Sequence, residues 1–412
     1  LLLHLSLIPL PISISLARRR FSYKNLTREE ETEREFCLFY RSTLTTENSK
    51  YGLFSSSCVP FKRKKNKTRR PRREQMIETG RYLIGVAGAS GFGSKSTADE
   101  VTENCDLRST TAIITGATSG IGAETARVLA KRGARLVFPA RNVKAAEEAK
   151  GRIVSEFPEA EIVVMELDLS SISSVRSFVA GFESLHLPLN LLINNAGRLA
   201  HEHAISEDGI EMTFATNYLG HFLLTNLLLK KMIQTAEETG VQGRIVNVTS
   251  GIHGWFSGDL IEYLRQISQP KCKVIGGQFD ATRAYALSKL ANVLHTKELS
   301  SRLQKIGANV TVNCVHPGVV KTRLTRDREG LLTDLVFFLT SKLLKTVPQA
   351  AATTCYVATN PRLMNVSGKY FTDCNETTPS GLGSNSSEAS KLWAASEILV
   401  TQHSKTGFDP LS

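Results

Sequence analysis

The chain predicts an α/β fold: a Rossmann-type, doubly wound parallel sheet of about seven strands with helices on both faces, in a single domain. Three observations carry the prediction. From about residue 110, short apolar runs alternate with longer helical patterns. The first apolar run leads straight into Thr115-Gly116-Ala117-Thr118-Ser119-Gly120-Ile121-Gly122, a glycine-rich turn that opens a helix. That helical pattern, 121–132, closes in Lys131-Arg132-Gly133, a cationic last turn followed by a glycine cap.

The expected strands are 111–115, 135–140, 161–167, 189–194, 244–249, 309–315 and 368–371. They place the domain at 110–376. An N-terminal extension covers 76–109, in which Gly85-Val86-Ala87-Gly88-Ala89-Ser90-Gly91 precedes any strand and reads as a flexible stretch. The C-terminal tail, 377–412, is rich in Ser, Asn and Gly before a short helical stretch around 392–399, and reads as surface or linker.

The net charge of +12 is concentrated at one end. Residues 1–75 hold seventeen Lys and Arg against seven Asp and Glu, so +10 belongs to this leader and +2 to the rest. A basic domain binding nucleic acid is therefore not indicated. Three readings of 1–75 stand: a targeting sequence, a basic nucleic-acid arm, or upstream sequence outside the natural product. No positive region precedes the apolar stretch 1–17, which holds Pro9 and Pro11, and Glu29, Glu30, Glu31, Glu33 and Glu35 argue against a transit peptide. The first methionine is Met76, which favours the third reading. The seven cysteines are scattered with no Cys-x-x-Cys pair, so neither a disulfide framework nor a zinc site is expected, and reduced thiols fit a cytosolic or stromal compartment. No apolar run reaches the roughly 18 residues that a spanning helix needs.

Glycines at the end of a first strand allow a tight turn and bring backbone N–H groups and a positive helix end to a pyrophosphate. At the end of the second strand, where an acid would bind ribose hydroxyls, stands Phe138-Pro139-Ala140-Arg141-Asn142. A guanidinium there suits a ribose 2′-phosphate, so NADP(H) is expected over NAD(H). Pro139 is unusual inside a strand, because it removes a ladder donor.

Tyr285 and Lys289 stand four residues apart in Ala284-Tyr285-Ala286-Leu287-Ser288-Lys289, which on a helix puts both on one face. An ammonium there lowers the pKa of a phenol and makes it a usable acid or base. Thr249 and Ser250 close an apolar run upstream, and either hydroxyl could face this pair.

Taken in order, these motifs resemble the short-chain dehydrogenase/reductase family over roughly 110–375. The resemblance adds Asp168 and Leu169 after the third strand, Asn194-Asn195-Ala196-Gly197 after the fourth, Asn217 in Thr216-Asn217-Tyr218, and His316-Pro317-Gly318 with Val320 and Thr322. His221, the long interval from Ser250 to Tyr285 and Lys289-Leu290-Ala291-Asn292 are similar to the retinol-dehydrogenase-like branch. Met165-Glu166-Leu167-Asp168-Leu169-Ser170-Ser171 and the segment Val347 to Ala358 are similar to plant members associated with the protein-import translocon of the inner chloroplast envelope.

The resemblance implies an oxidoreductase acting on CH–OH donors with an apolar carbonyl or alcohol substrate. Tyr285 would exchange the substrate proton, Lys289 would lower its pKa and hold the nicotinamide ribose, Ser250 would hydrogen-bond the substrate oxygen, and Asn217 would carry a water linking Lys289 to solvent. Gly116, Thr118, Ser119, Gly120, Ile121, Gly122, Arg141, Asp168, Leu169, Asn195, Ala196, Gly197, Pro317, Gly318, Val320 and Thr322, with Tyr285 and Lys289, would bind NADP(H). Asp168 could instead cap the following helix. His221 and His316 read as packed polar residues, with no metal-ligand spacing around them. Trp255, Phe256, Tyr263 and Phe279 could roof a substrate pocket or simply pack. The pattern at 331–345 fits a substrate-loop helix lying against a membrane or calmodulin, or a core helix. The resemblance places the protein in the chloroplast, at the stromal side of the inner envelope, with the cytoplasm as the alternative. A second reading is an NADP(H)-sensing regulatory component of the translocon with little turnover.

Overall fold

The computed structural model describes residues 82, 84–199, 202–269, 279–320 and 344–401. Within them lies an eight-stranded sheet of order β3-β2-β1-β4-β5-β6-β7-β8. Its strands are β1 (Thr111–Ile114), β2 (Arg135–Ala140), β3 (Ile162–Glu166), β4 (Leu191–Asn194), β5 (Gly243–Val248), β6 (Val310–His316), β7 (Tyr370–Thr372) and β8 (Asn375–Thr377). The first seven run parallel; β8 returns antiparallel on β7 through a turn in which Asp373 and Cys374 both take positive φ.

Among the described residues the α-helices of four residues or more are α1 (Ala98–Val101), α2 (Gly120–Lys131), α3 (Val143–Glu156), α4 (Ile172–Ser184), α5 (Gly220–Thr239), α6 (Leu260–Ile267), α7 (Ala281–Lys305), α8 (Val347–Thr359) and α9 (Ser386–Thr401). Helices α3, α4, α6, α7 and α8 start behind a short polar side chain that caps the first turn: Asn142, Ser171, Asp259, Asp280 and Thr346 each accept a backbone N–H. One face of the sheet packs on α2 and α8, through Ala126, Leu129, Ala351 and Cys355. Strand order reverses between β1 and β4, and the crevice at that switch point is where open α/β sheets bind ligands.

Pro139 has a physical account. Successive backbone groups of a strand point to opposite neighbours. The amide of Arg135 faces β1, so the nitrogen of Pro139, four residues on, faces β1 too. The β1 pairing ends at Ile113 with Val137, and the missing donor falls past it.

Two expectations for the ends are corrected. The stretch at Gly85 to Gly91 is fastened: Ser90 N donates to Asn375 Oδ1 at 3.0 Å, Asn375 Nδ2 donates to the Phe92 carbonyl at 3.0 Å, and Phe92 meets Tyr356 edge-on at 5.7 Å. The tail read as surface or linker forms α9, which buries Leu392, Trp393, Leu399 and Val400. Trp393 lies 5.0 Å from Phe222 and under the Arg302 guanidinium, and Ser396 hydrogen-bonds Tyr218 at 2.7 Å. The expectation for 331–345 lies, apart from 344 and 345, outside the described residues. Among the described residues, no helix is long and apolar enough to cross a membrane.

Candidate active site

The turn between β1 and α2 is built for a close approach. Gly116 and Gly120 take φ of +70° and +57°, which side chains resist. A Cβ on Gly122 would lie 2.3 Å from the Gly116 carbonyl and 2.4 Å from Asn195 Nδ2, so only glycine lets α2 start here. Ser119 occupies the N-cap of α2 without a side-chain cap bond, which leaves the positive helix end open. Above this turn opens a cleft of about 450 Å³ lined by Gly116, Thr118, Pro139, Ala140, Arg141, Asn142, Leu167, Asp168, Leu169, Ala196, Gly197, Arg198, Leu199 and Thr216. Seven of the expected cofactor residues are thus in one place. Arg141 is exposed at the rim. Arg152, which the sequence reading missed, reaches the Thr118 carbonyl at 3.3 Å from α3. Asp168 accepts from Ser170 through Oδ1, while Ser171 caps α4, which resolves the capping alternative in favour of Ser171.

The floor of the cleft is one hydrogen-bonded chain. Thr115 Oγ1 accepts the amides of Asn195 and Ala196, each at 2.9 Å, and meets His221 Nε2 at 2.8 Å. His221 Nδ1 lies 3.1 Å from the Asn217 carbonyl, which can only accept, so the imidazole is the neutral Nδ1–H tautomer and Thr115 donates to Nε2. Burial holds its pKa down at about 4, consistent with that state. Asn217 sits in a π-helical turn, Ala215–Leu219. Its Oδ1 accepts Arg198 N at 2.7 Å, and its Nδ2 donates to the Arg198 carbonyl and to Ser288 Oγ. Both amide N–H groups are spent on protein partners, so the side chain ties the loop after β4 to α7.

Thr249 and Ser250 separate cleanly. Thr249 is buried and donates to the Lys289 carbonyl at 2.7 Å. Ser250, half-buried, holds only a long contact of 3.4 Å from Ile252 N, so its hydroxyl is the one free for a substrate. Tyr285 and Lys289 share a face of α7, with Lys289 Nζ 5.7 Å from the Tyr285 ring centre. Lys289 is 3% exposed and donates to the Val248 carbonyl at 3.0 Å. Burial lowers its pKa to about 8 and raises that of Tyr285 to about 12. The expected lowering of the phenol by Lys289 is not what the protein alone shows, because burial of Tyr285 raises its pKa.

His316 Nδ1 accepts Gly251 N at 3.1 Å and Gly318 N at 3.4 Å, tying the Ser250 turn to the turn after β6. Pro317 and Gly318 form that turn, and Val320 pairs with Lys345 in an isolated bridge. Thr322 lies outside the described residues. Of the aromatic candidates, Phe256 and Tyr263 are buried against each other under Arg283 and serve packing, Phe279 meets His203, and Trp255 is 74% exposed.

A family model described as short chain dehydrogenase matches residues 110–257. The chain is 51% identical over 320 residues to short-chain dehydrogenase TIC 32 B, chloroplastic, of Brassica napus, covering 77% of this chain and 97% of that one. It is 40% identical over 305 residues to human retinol dehydrogenase 14, covering 70% of this chain and 86% of the relative. A solved structure of an uncharacterized protein from Mycobacterium paratuberculosis superposes with a TM-score of 0.56 at 30% identity, covering 74% of this chain and 98% of that one. L-Sorbose reductase from Gluconobacter frateurii, solved with NADPH and L-sorbose, shares the fold with a TM-score of 0.51 at 20% identity, over 68% and 99% of the two chains. Its sheet, its glycine turn and these relatives together establish that the chain belongs to the short-chain dehydrogenase family, a family of oxidoreductases.

Proposed function

We propose that the protein is an NADP(H)-dependent oxidoreductase that transfers a hydride between the nicotinamide and a carbonyl or alcohol carbon of an apolar small molecule. The observation that carries this reading is the continuity of cleft and catalytic residues at Gly197. Gly197 lines the cleft, and its open Cβ position lies 3.4 Å from Lys289 Nζ and 3.5 Å from Asn217 Oδ1. A nucleotide laid along the cleft would therefore end beside Lys289, whose ammonium lies 5.7 Å from the Tyr285 ring centre.

The residues fit such a cofactor. Gly116, Ser119, Gly120, Ile121 and Gly122 would hold the pyrophosphate at the α2 terminus, Arg141 and Arg152 would take the 2′-phosphate, Asp168, Leu169, Asn195, Ala196 and Gly197 would follow the adenosine and ribose, and Pro317, Gly318 and Val320 would flank the nicotinamide. NADP(H) supplies the hydride when bound. Tyr285, a phenol at neutral pH, gives its proton to the substrate oxygen as a carbonyl is reduced and takes it back in the reverse direction. Ser250 donates a hydrogen bond to the same oxygen as charge develops on it. Lys289 keeps positive charge beside the phenol, and Asn217 holds the Arg198 loop and Ser288 in place. The identity to the Brassica relative supports a chloroplast location. It also keeps open a second reading, an NADP(H)-sensing subunit at the import translocon.

The test is nucleotide titration and NADPH oxidation over a panel of apolar aldehydes and ketones, with wild type, Tyr285→Phe and Arg141→Asp. Arg141→Asp is expected to weaken NADPH binding by about 1.5–3 kcal/mol, roughly 10–100-fold, and to spare NADH. Equal NADPH affinity in the two proteins would remove the 2′-phosphate assignment. Tight NADPH binding with no oxidation on any carbonyl would favour the sensor.

A further inference from the structure

Ser250 lies on a short loop, yet hydrogen bonding to a reacting oxygen requires placement within a fraction of an ångström. The structure shows what holds it. The Ser250 carbonyl accepts two bonds from one residue: the His253 amide at 3.1 Å and His253 Nδ1 at 2.7 Å. The far side of the same ring, Nε2, takes the amide of Ser380 at 3.0 Å, a residue 127 positions on. A carbonyl only accepts and an amide only donates, so the imidazole is fixed as the neutral Nδ1–H tautomer. The ring is 5% exposed and packs against Tyr370 at 5.1 Å. On the other side of Ser250, the Gly251 amide is held by His316.

We propose that His253 is a positioning residue for Ser250, gripping the serine backbone with Nδ1 and anchoring that grip through Nε2 to the segment after β8. The proposal rests on the reading of Ser250 as the substrate hydrogen-bond donor. Burial lowers the pKa of His253 and keeps it neutral, as both bonds require. The short Gly251–Trp255 helix, which carries the exposed Trp255, is fixed by the same ring.

The two ring nitrogens can be tested apart in the full chain. In His253→Asn the amide nitrogen replaces Nδ1, which keeps the bond to Ser250 and loses the one to Ser380. In His253→Gln the amide oxygen replaces Nε2, which keeps Ser380 and loses Ser250. Turnover is read with decanal and NADPH at saturating nucleotide, beside Ser250→Ala, melting temperature, and crystal structures of both His253 variants. The expected result is kcat within about threefold of wild type for His253→Asn and a loss of about tenfold or more for His253→Gln. Melting temperature is expected to fall in the opposite order, more in His253→Asn. Ser250 Oγ is expected to shift relative to Tyr285 only in the Gln variant. Equal kcat in the two variants, or an unmoved Ser250 in His253→Gln, overturns the proposal. If Ser250→Ala keeps full turnover, or decanal is not reduced by wild type, the catalytic reading of Ser250 fails instead, and the two crystal structures alone decide whether His253 places it.

Discussion

At the scale of single residues, burial moves Lys289 and Tyr285 in opposite directions, to about 8 and about 12. The consequence for stability follows from the sign. Below about pH 8 both folded and unfolded chains carry the Lys289 ammonium, and the fold bears the full cost of burying it. Between about 8 and the ordinary 10.5 the unfolded chain binds more protons than the folded one, so this cost is relieved as pH rises. Lys289→Met is therefore expected to raise the melting temperature at pH 7 by a few degrees while abolishing turnover, a trade read by calorimetry beside kinetics. The same shift makes kcat/KM for carbonyl reduction fall as pH rises through about 8, where the free protein loses the Lys289 charge; a profile flat to pH 10 would contradict it. Tyr285 and Lys289 were legible in the sequence because a spacing of four fixes a shared helix face. The choice between Thr249 and Ser250 came from the family resemblance and not from the residues themselves, because it depends on which hydroxyl turns toward the α7 backbone. The structure makes that choice by spending Thr249 on the Lys289 carbonyl.

Among the elements, all seven expected strands form, with ends shifted by up to two residues, because short apolar runs alternating with helical patterns have few other folds open to them. The glycine turn was equally legible, since its residues are contiguous. Gly122→Ala is expected to destabilise by about 1–3 kcal/mol and to weaken nucleotide binding, because a Cβ has nowhere to go between the Gly116 carbonyl and Asn195; urea unfolding and NADPH titration check both. The antiparallel β8 was missed because three residues, Asn375–Thr377, give no apolar period to read. Arg152 and His253 were missed for a related reason. Their partners, Thr118 and Ser380, are 34 and 127 residues away in sequence.

For the whole molecule, the sheet places the cleft at the switch point between β1 and β4, while α7 brings Lys289 beside Gly197 at its edge, with Tyr285 on the same helix face and Ser250 following β5. The C-terminal segment completes the structure behind this site. A helical stretch around 392–399 was legible there, but its burial was not: Trp393 packs on Phe222 of α5 and Arg302 of α7, and Trp393→Ala is expected to cost about 3–5 kcal/mol by denaturant unfolding. The most direct test of the central claim is the rate of carbonyl-dependent NADPH oxidation by the full chain and by Tyr285→Phe, with nucleotide affinity measured on both. The account predicts unchanged NADPH affinity and a loss of at least about 100-fold in rate. An equal rate in the two proteins, or NADPH bound tightly by a wild type that oxidises it with no carbonyl, would contradict it.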